Sequence, residues 1–150
     1  MKPALLVSTC FGCGYVPYAP GTFASAIIAF LCFGFDAIVG WQSLVVLTIL
    51  FSILGLTLSG GAARELNEED PGCIVIDEAA GMALAAVPAT GSILWFGVAF
   101  VGFRILDIWK PGPVRWMERF GGSAGIMGDD LVAGGAVAIA IWLARLWVSG

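Results

Sequence analysis

The sequence predicts an all-α fold: an integral membrane helical bundle of about four to six helices, some short or re-entrant, with residues 1–150 as a single domain. Three observations carry that expectation. Apolar residues make up 59% of the chain and charged ones only 12%, with a mean hydropathy of +0.96. Soluble domains hold about 25% charged residues, so too little polar surface remains here to cover a water-soluble globule. Long runs such as 42–58 and 131–148 are almost free of charge and approach the length of a bilayer span. The charge that does exist is concentrated. Four of the seven basic residues (Arg104, Lys110, Arg115, Arg119) lie between residues 104 and 130, interleaved with Asp107, Glu118, Asp129 and Asp130 and flanked by apolar segments.

Met1-Lys2 carries too little charge, and the residues after it include too many Gly and Pro, for a cleavable signal peptide. Residues 8–22, STCFGCGYVPYAPGT, mix turn formers with aromatics, and Pro17, Pro20 and Gly21 forbid a continuous helix. An irregular or re-entrant segment is expected there, tolerated at membrane depth only when buried in protein or lining a wet cavity. Thr22 reads as the N-cap of a first helix from about Phe23 to Phe35. Its Ala24, Ser25, Ala26 and Ala29 allow close packing. A second helix covers Gln42 to Leu58 and is expected to end at Ser59-Gly60-Gly61. Residues 62–72 are the most polar stretch and should meet water, with Glu65, Glu68, Glu69 and Asp70 as a solvated face.

Cys73 to Val87 is an apolar helix carrying adjacent carboxylates, Asp77 and Glu78, and Pro88-Ala89-Thr90-Gly91 breaks it. From Glu78 to Pro88 a helix is only about 14 Å long, less than half the hydrocarbon thickness. If residues 92–108 return as the second arm of a hairpin, Asp77 and Asp107 finish on the same side. A single kinked span would separate them. The last helix is expected from Leu131 to Val148, opened by Gly128 and Asp129-Asp130. One acid there suits a helix N-terminus, but capping does not need two.

The net charge of −4 and the lack of a basic stripe argue against nucleic acid. The CxxC at Cys10 and Cys13 has no second pair and no histidine to complete a zinc site, so it reads as small residues packed in a Gly-rich turn. A charge at the mouth of an apolar helix costs about 3 kcal/mol unless paired or hydrated. Five carboxylates (Asp77, Glu78, Asp107, Asp129, Asp130) stand at such mouths, and their repulsion calls for cations. Oxygen ligands without a His or Cys cluster point to Mg²⁺, with Mn²⁺ or Ca²⁺ as alternatives. Arg104, Asp107 and Lys110 recur at i, i+3 and i+6, near one helix face, and with Arg115 they supply the basic groups that a phosphate ester needs. An ion-pair network that only fixes helix packing is the alternative.

Absences narrow the chemistry. The chain has no histidine, no Cys followed by Arg six positions on, no Asp-x-Asp, and not the Asp-rich pattern of the CDP-alcohol phosphotransferases. Metal-assisted attack by water on a phosphate ester is what remains.

On these residues the chain resembles the phosphatidylglycerophosphatase A family. The likeness is carried by Pro20-Gly21-Thr22 with its lead-in Phe11-Gly12-Cys13-Gly14, and by Ile74-Val75-Ile76-Asp77-Glu78 with Gly81-Met82. It continues through Phe103-Arg104-Ile105-Leu106-Asp107-Ile108-Trp109-Lys110-Pro111, Pro113 and Arg115, and ends with Gly125-Ile126-Met127 followed by 129–134, DDLVAG. Cys13 stands where a small hydroxyl residue is common, and Ala24 where glycine is common.

The resemblance implies a Mg²⁺-dependent phosphatase of phospholipid biosynthesis that converts phosphatidylglycerophosphate to phosphatidylglycerol. It also implies a multi-pass protein of a bacterial inner (cytoplasmic) membrane with its site toward the cytoplasm. The basic residues from Arg104 to Arg119 agree with that orientation. The expected metal ligands are Asp77, Asp107, Asp129 and Asp130. Glu78 either completes the metal site or takes a proton from the attacking water. Arg104, Lys110 and Arg115 are expected to grip the phosphate, with Arg104, Lys110, Glu78 and Asp107 as the catalytic set. Thr22 and the Gly12–Gly21 turn would add hydroxyl and N–H donors. The rival readings are a small transporter or channel subunit with charges lining an ion path, and an enzyme of related chemistry on a different phosphomonoester.

Overall fold

A computed structural model describes residues 2–149, the side chains of Glu118 and Ser149 excepted, and contains no strand among the described residues. Met1, part of the N-terminal pair read against a signal peptide, lies outside them. The helices are α1 (Pro3–Ser8), α2 (Pro20–Val39), α3 (Trp41–Leu66), α4 (Ile76–Ala86), α5 (Ile93–Trp109), α6 (Gly112–Met117) and α7 (Gly122–Ser149). Helices α1 and α6 have six residues each and α4 eleven. Three helices, α2, α3 and α7, are long and apolar enough to cross a membrane, and the chain is a helical membrane protein.

Helix boundaries differ from the sequence expectation for identifiable reasons. Thr22 is not a cap: α2 starts at Pro20, whose fixed φ suits a first helical position, after Ala19 in the left-handed region at φ 48°. The second span does not stop at Ser59-Gly60-Gly61 but runs on to Leu66. Gly60 serves close packing instead. Its N–H donates to Ser123 Oγ at 2.9 Å, and a Cβ there would lie 2.6 Å from the same oxygen. The stop is Asn67, left-handed at φ 55°. Residues 68–70 are exposed, as a solvated face requires. The last helix begins at Gly122, so Asp129 and Asp130 lie inside it and neither caps its start.

Topology places the polar groups. Only Gly40 joins α2 to α3, so the start of α2 and the end of α3 share one end of the bundle. Helix α4, about 16 Å long, is too short to cross a bilayer. It runs away from that end through the turn Val87–Ala89 to Gly91, whose N–H donates to Asp36 Oδ2 at 2.8 Å near the far end of α2. Helix α5 then returns, so the hairpin alternative holds and the single kinked span does not. Arg145 of α7 ties the hairpin turn from the far end, donating to the carbonyls of Pro88 and Thr90 at 2.7 Å each.

The core is α4. Ile76, Asp77, Ala79, Ala80, Gly81, Met82, Ala83, Ala85 and Ala86 are all buried in it. Small side chains let α7 approach closely: a Cβ on Gly134 would overlap the Gly81 carbonyl, and a Cβ on Gly81 would lie 2.6 Å from the Asp130 carbonyl oxygen. Large apolar side chains face outward instead, among them Phe30, Ile53, Leu94, Ile105 and Ile139, as lipid solvation allows.

Candidate active site

Asp77 and Glu78 occupy the first turn of α4, Arg104 and Asp107 the last turns of α5, and Asp129 and Asp130 the interior of α7. One oxygen from each of Asp77, Glu78 and Asp130 lies within 4.8 Å of the others. Asp77 and Asp130 are only 8% and 3% exposed. Asp107 is ion-paired with Arg104 one turn earlier. Arg104 Nη1 also stands 3.9 Å from Glu78 Oε1.

Lys110 departs from the one-face arrangement read from the i, i+3, i+6 spacing. It is the residue that ends α5, left-handed at φ 44°, so the helical periodicity stops before it. Its Nζ instead bridges to α7, donating to Asp129 Oδ2 at 2.7 Å. Oδ1 of Asp129 accepts from the N–H of Asp130, and Oδ1 of Asp77 from the N–H of Glu78, each at 3.0 Å.

Four buried side-chain polar atoms remain unmet among the described residues, the hydroxyls of Ser8 and Ser59 and two atoms of the site. Glu78 Oε2 and Arg104 Nε are buried with no hydrogen-bond partner. Buried polar groups are rarely left so, and each orphan here states what it lacks. A carboxylate oxygen among other acids lacks a cation, and a guanidinium N–H lacks an anionic acceptor.

The start of α2 closes the site from one side. A Cβ on Gly21 would overlap Glu78 Oε1 and lie 3.3 Å from Arg104 Nη1. Thr22, half-buried, lines a groove together with Arg104. The rest of the Gly12–Gly21 turn packs elsewhere: Gly14 is buried against the Cys73 backbone, and the Cys10 thiol donates to the Val75 carbonyl at 3.7 Å. Burial pushes the Cys10 thiol up to about 12, with Cys13 and Glu78 adding in the same direction. A reactive redox thiol needs the opposite, so Cys10 is not poised as one.

Of the expected metal ligands, Asp77 and Asp130 converge with Glu78, while Asp107 and Asp129 each hold a base. Of the expected phosphate contacts, Thr22 and Arg104 adjoin, Lys110 is held by Asp129, and Arg115 is exposed on α6 with no contact to the carboxylates among the described residues. The sequence reading missed Gly21 as a wall of the site. It also missed Arg64 and Arg119, which with Glu69, Asp70 and Asp129 line a polar cleft of about 640 Å³ between α3 and α7. Arg119 stood in the charged block and was discoverable; Arg64 carried no signal of its own.

The family model described as phosphatidylglycerophosphatase A matches residues 6–145. The chain is 39% identical to the phosphatidylglycerophosphatase A of Escherichia coli (strain K12), over 89% of this chain and 78% of that relative. It is 37% identical to a putative phosphatidylinositol-3-phosphatase of Bacteroides thetaiotaomicron, over 97% of this chain and 95% of the relative. It is 32% identical to the phosphatidylglycerophosphatase A of Haemophilus influenzae, over 99% and 92%. No solved structure matches.

Proposed function

The chain belongs to the phosphatidylglycerophosphatase A family and is a membrane phosphatase; from that premise we propose that it removes the terminal phosphate of phosphatidylglycerophosphate, leaving phosphatidylglycerol. The observation that carries this reading is the pair of orphans on adjoining groups, a carboxylate oxygen of Glu78 and a guanidinium N–H of Arg104. One side of the site is short of a cation and the other short of an anion, which is the polarity that a phosphomonoester with a divalent ion requires.

Mg²⁺ fits the donor set, because Asp77, Glu78 and Asp130 offer only hard oxygen atoms and Glu78 Oε2 has no competing partner. When bound there, the ion supplies Lewis acidity toward a phosphoryl oxygen and toward the attacking water. The chain's own groups do the rest. Arg104 donates from Nε to a non-bridging oxygen and offsets the charge that grows there. Asp107 orients Arg104 by its ion pair, and Asp129 holds Lys110 so that a second positive charge stays at the site. As water adds to phosphorus, the bond from phosphorus to the lipid's glycerol oxygen breaks. The proton lost by water passes to a carboxylate of the cluster, and the departing oxygen takes up a proton.

The same reading puts the protein in a bacterial inner membrane with the site toward the cytoplasm. In support, Lys2, Arg64, Arg104, Lys110, Arg115 and Arg119 all belong to the end of the bundle that holds the site, and Arg145 to the other. The name of the Bacteroides relative favours a second reading, a phosphomonoester on an inositol headgroup. The test is phosphate release by the purified protein from phosphatidylglycerophosphate and from phosphatidylinositol 3-phosphate, with Mg²⁺ or with EDTA. Release from the first is expected to need Mg²⁺ and to vanish in Asp77→Asn and Asp130→Asn. Near wild-type, metal-dependent turnover in both variants would sink the assignment.

A further inference from the structure

We propose that the substrate's diacylglycerol moiety reaches the site sideways from the bilayer, its acyl chains lying in an apolar groove on the α2–α5 face and its phosphate-bearing head at Arg104. This rests on the reading of the protein as a lipid phosphomonoester hydrolase. The groove, about 450 Å³, is walled by Phe100, Val101, Ile105 and Ile108 and ends at Thr22 and Arg104. Its walls are open to lipid: Val101, Ile105 and Ile108 are 53%, 52% and 70% exposed. The Arg104 side chain between them is 14% exposed, and its Nε is the buried donor without a partner. A guanidinium that pairs with Asp107 yet keeps its Nε–H unmet, at the foot of an apolar channel, suits an amphiphile whose charged end is anionic. Trp109, 79% exposed beside Lys110 at the end of α5, is placed as an interfacial aromatic would be.

A second opening, of opposite character, lies between α3 and α7. The polar cleft that ends at Asp129 is lined by Arg64, Glu68, Glu69, Asp70 and Arg119. Acyl chains gain nothing among those charges, and inorganic phosphate gains nothing in the groove.

The test uses Val101→Trp and Ile105→Trp, which fill the groove, and Ile139→Trp on the lipid-facing side of α7 as the comparison. The quantity read is the ratio of kcat/KM for a dioleoyl substrate to that for its water-soluble dibutyryl form. Both groove variants are expected to lower this ratio at least about ten-fold, and Ile139→Trp to leave it within about two-fold. An unchanged ratio in the groove variants overturns the proposal. In parallel, p-benzoylphenylalanine at position 101 or 139 of the full chain is photolysed with dioleoyl phosphatidylglycerophosphate in phosphatidylcholine micelles. Capture at 101 that unlabelled phosphatidylglycerophosphate suppresses and extra phosphatidylcholine does not supports the groove. Equal, unsuppressed capture at both positions overturns it. If wild-type protein releases no phosphate from any lipid, the hydrolase reading fails on the release assay, and the photolysis result alone decides the groove.

Discussion

Gly21 of α2 and Glu78 of α4 are packed so closely that a single added methyl group would overlap Glu78 Oε1 and reach 3.3 Å from Arg104 Nη1. The contact fixes the carboxylate between the two helix starts, and with it the separation of the orphaned oxygen from the orphaned guanidinium N–H. Gly21→Ala is therefore expected to lower phosphate release by about 100-fold, the scale of a misplacement of about 1 Å in a catalytic constellation. Gly34→Ala, on the same helix with nothing near its added methyl, is expected to keep wild-type activity. Equal turnover by the two variants would show that the site does not depend on this wall.

The bond from Lys110 Nζ to Asp129 Oδ2 joins the end of α5 to α7. Asp129 is 5% exposed, so removing its partner leaves a buried carboxylate uncompensated, which costs about 3–5 kcal/mol. Lys110→Met and Asp129→Asn should each lower the detergent melting temperature, and the double variant should lose less than their sum. A coupling of about 1–3 kcal/mol is the expected size for a contacting pair. Strict additivity in the thermal melts would mean that the two side chains act separately.

Much of this was readable from sequence, and the parts that were not share a cause. The dense charges between residues 104 and 130, and Asp77-Glu78 on an apolar helix, marked the site because ionised groups in greasy segments are costly without a use. The hairpin alternative was open because α4 is too short to span. What failed was the reading of glycine. Gly60 and Gly21 looked like helix punctuation, yet both lie inside helices, where they let Ser123 and Glu78 come close. One chain cannot reveal whether a glycine is there to turn the backbone or to admit a neighbour. The sorting of acids was hidden for a related reason. Spacing puts Asp107 and Asp129 near the site, but only the fold shows that they pair with Arg104 and Lys110 while Glu78 joins Asp77 and Asp130.

That sorting yields a prediction independent of turnover. Mg²⁺ bound by Asp77, Glu78 and Asp130 in the folded protein alone should raise its melting temperature, by an amount equivalent to about 2.7 kcal/mol at 100 times the dissociation constant. Asp130→Asn and Asp77→Asn should abolish the Mg²⁺-dependent rise, and Arg115→Ala should preserve it, because Arg115 is exposed on α6 away from the carboxylates. A rise of wild-type size in both carboxylate variants would place the ion elsewhere.

Cys10 provides a test of the packing around α4's start that involves no substrate. Burial, with Cys13 and Glu78 nearby, pushes its thiol up to about 12. A raised value favours the neutral thiol, so the thiolate that reacts with iodoacetamide is scarce until the pH nears that value. An unhindered cysteine, with a pKa of about 8.5, is already about a quarter ionised at pH 8. With Cys13, Cys32 and Cys73 replaced by alanine, Cys10 should be alkylated at least about 100-fold more slowly than a model peptide thiol at pH 8. Its rate should still be climbing at pH 10, where the peptide has levelled off. Mass spectrometry of quenched time points gives both curves. A Cys10 rate that levels off near pH 9 would mean that the thiol is open to water, and that the turn carrying it does not sit against Val75 as the hydrogen bond to that carbonyl requires.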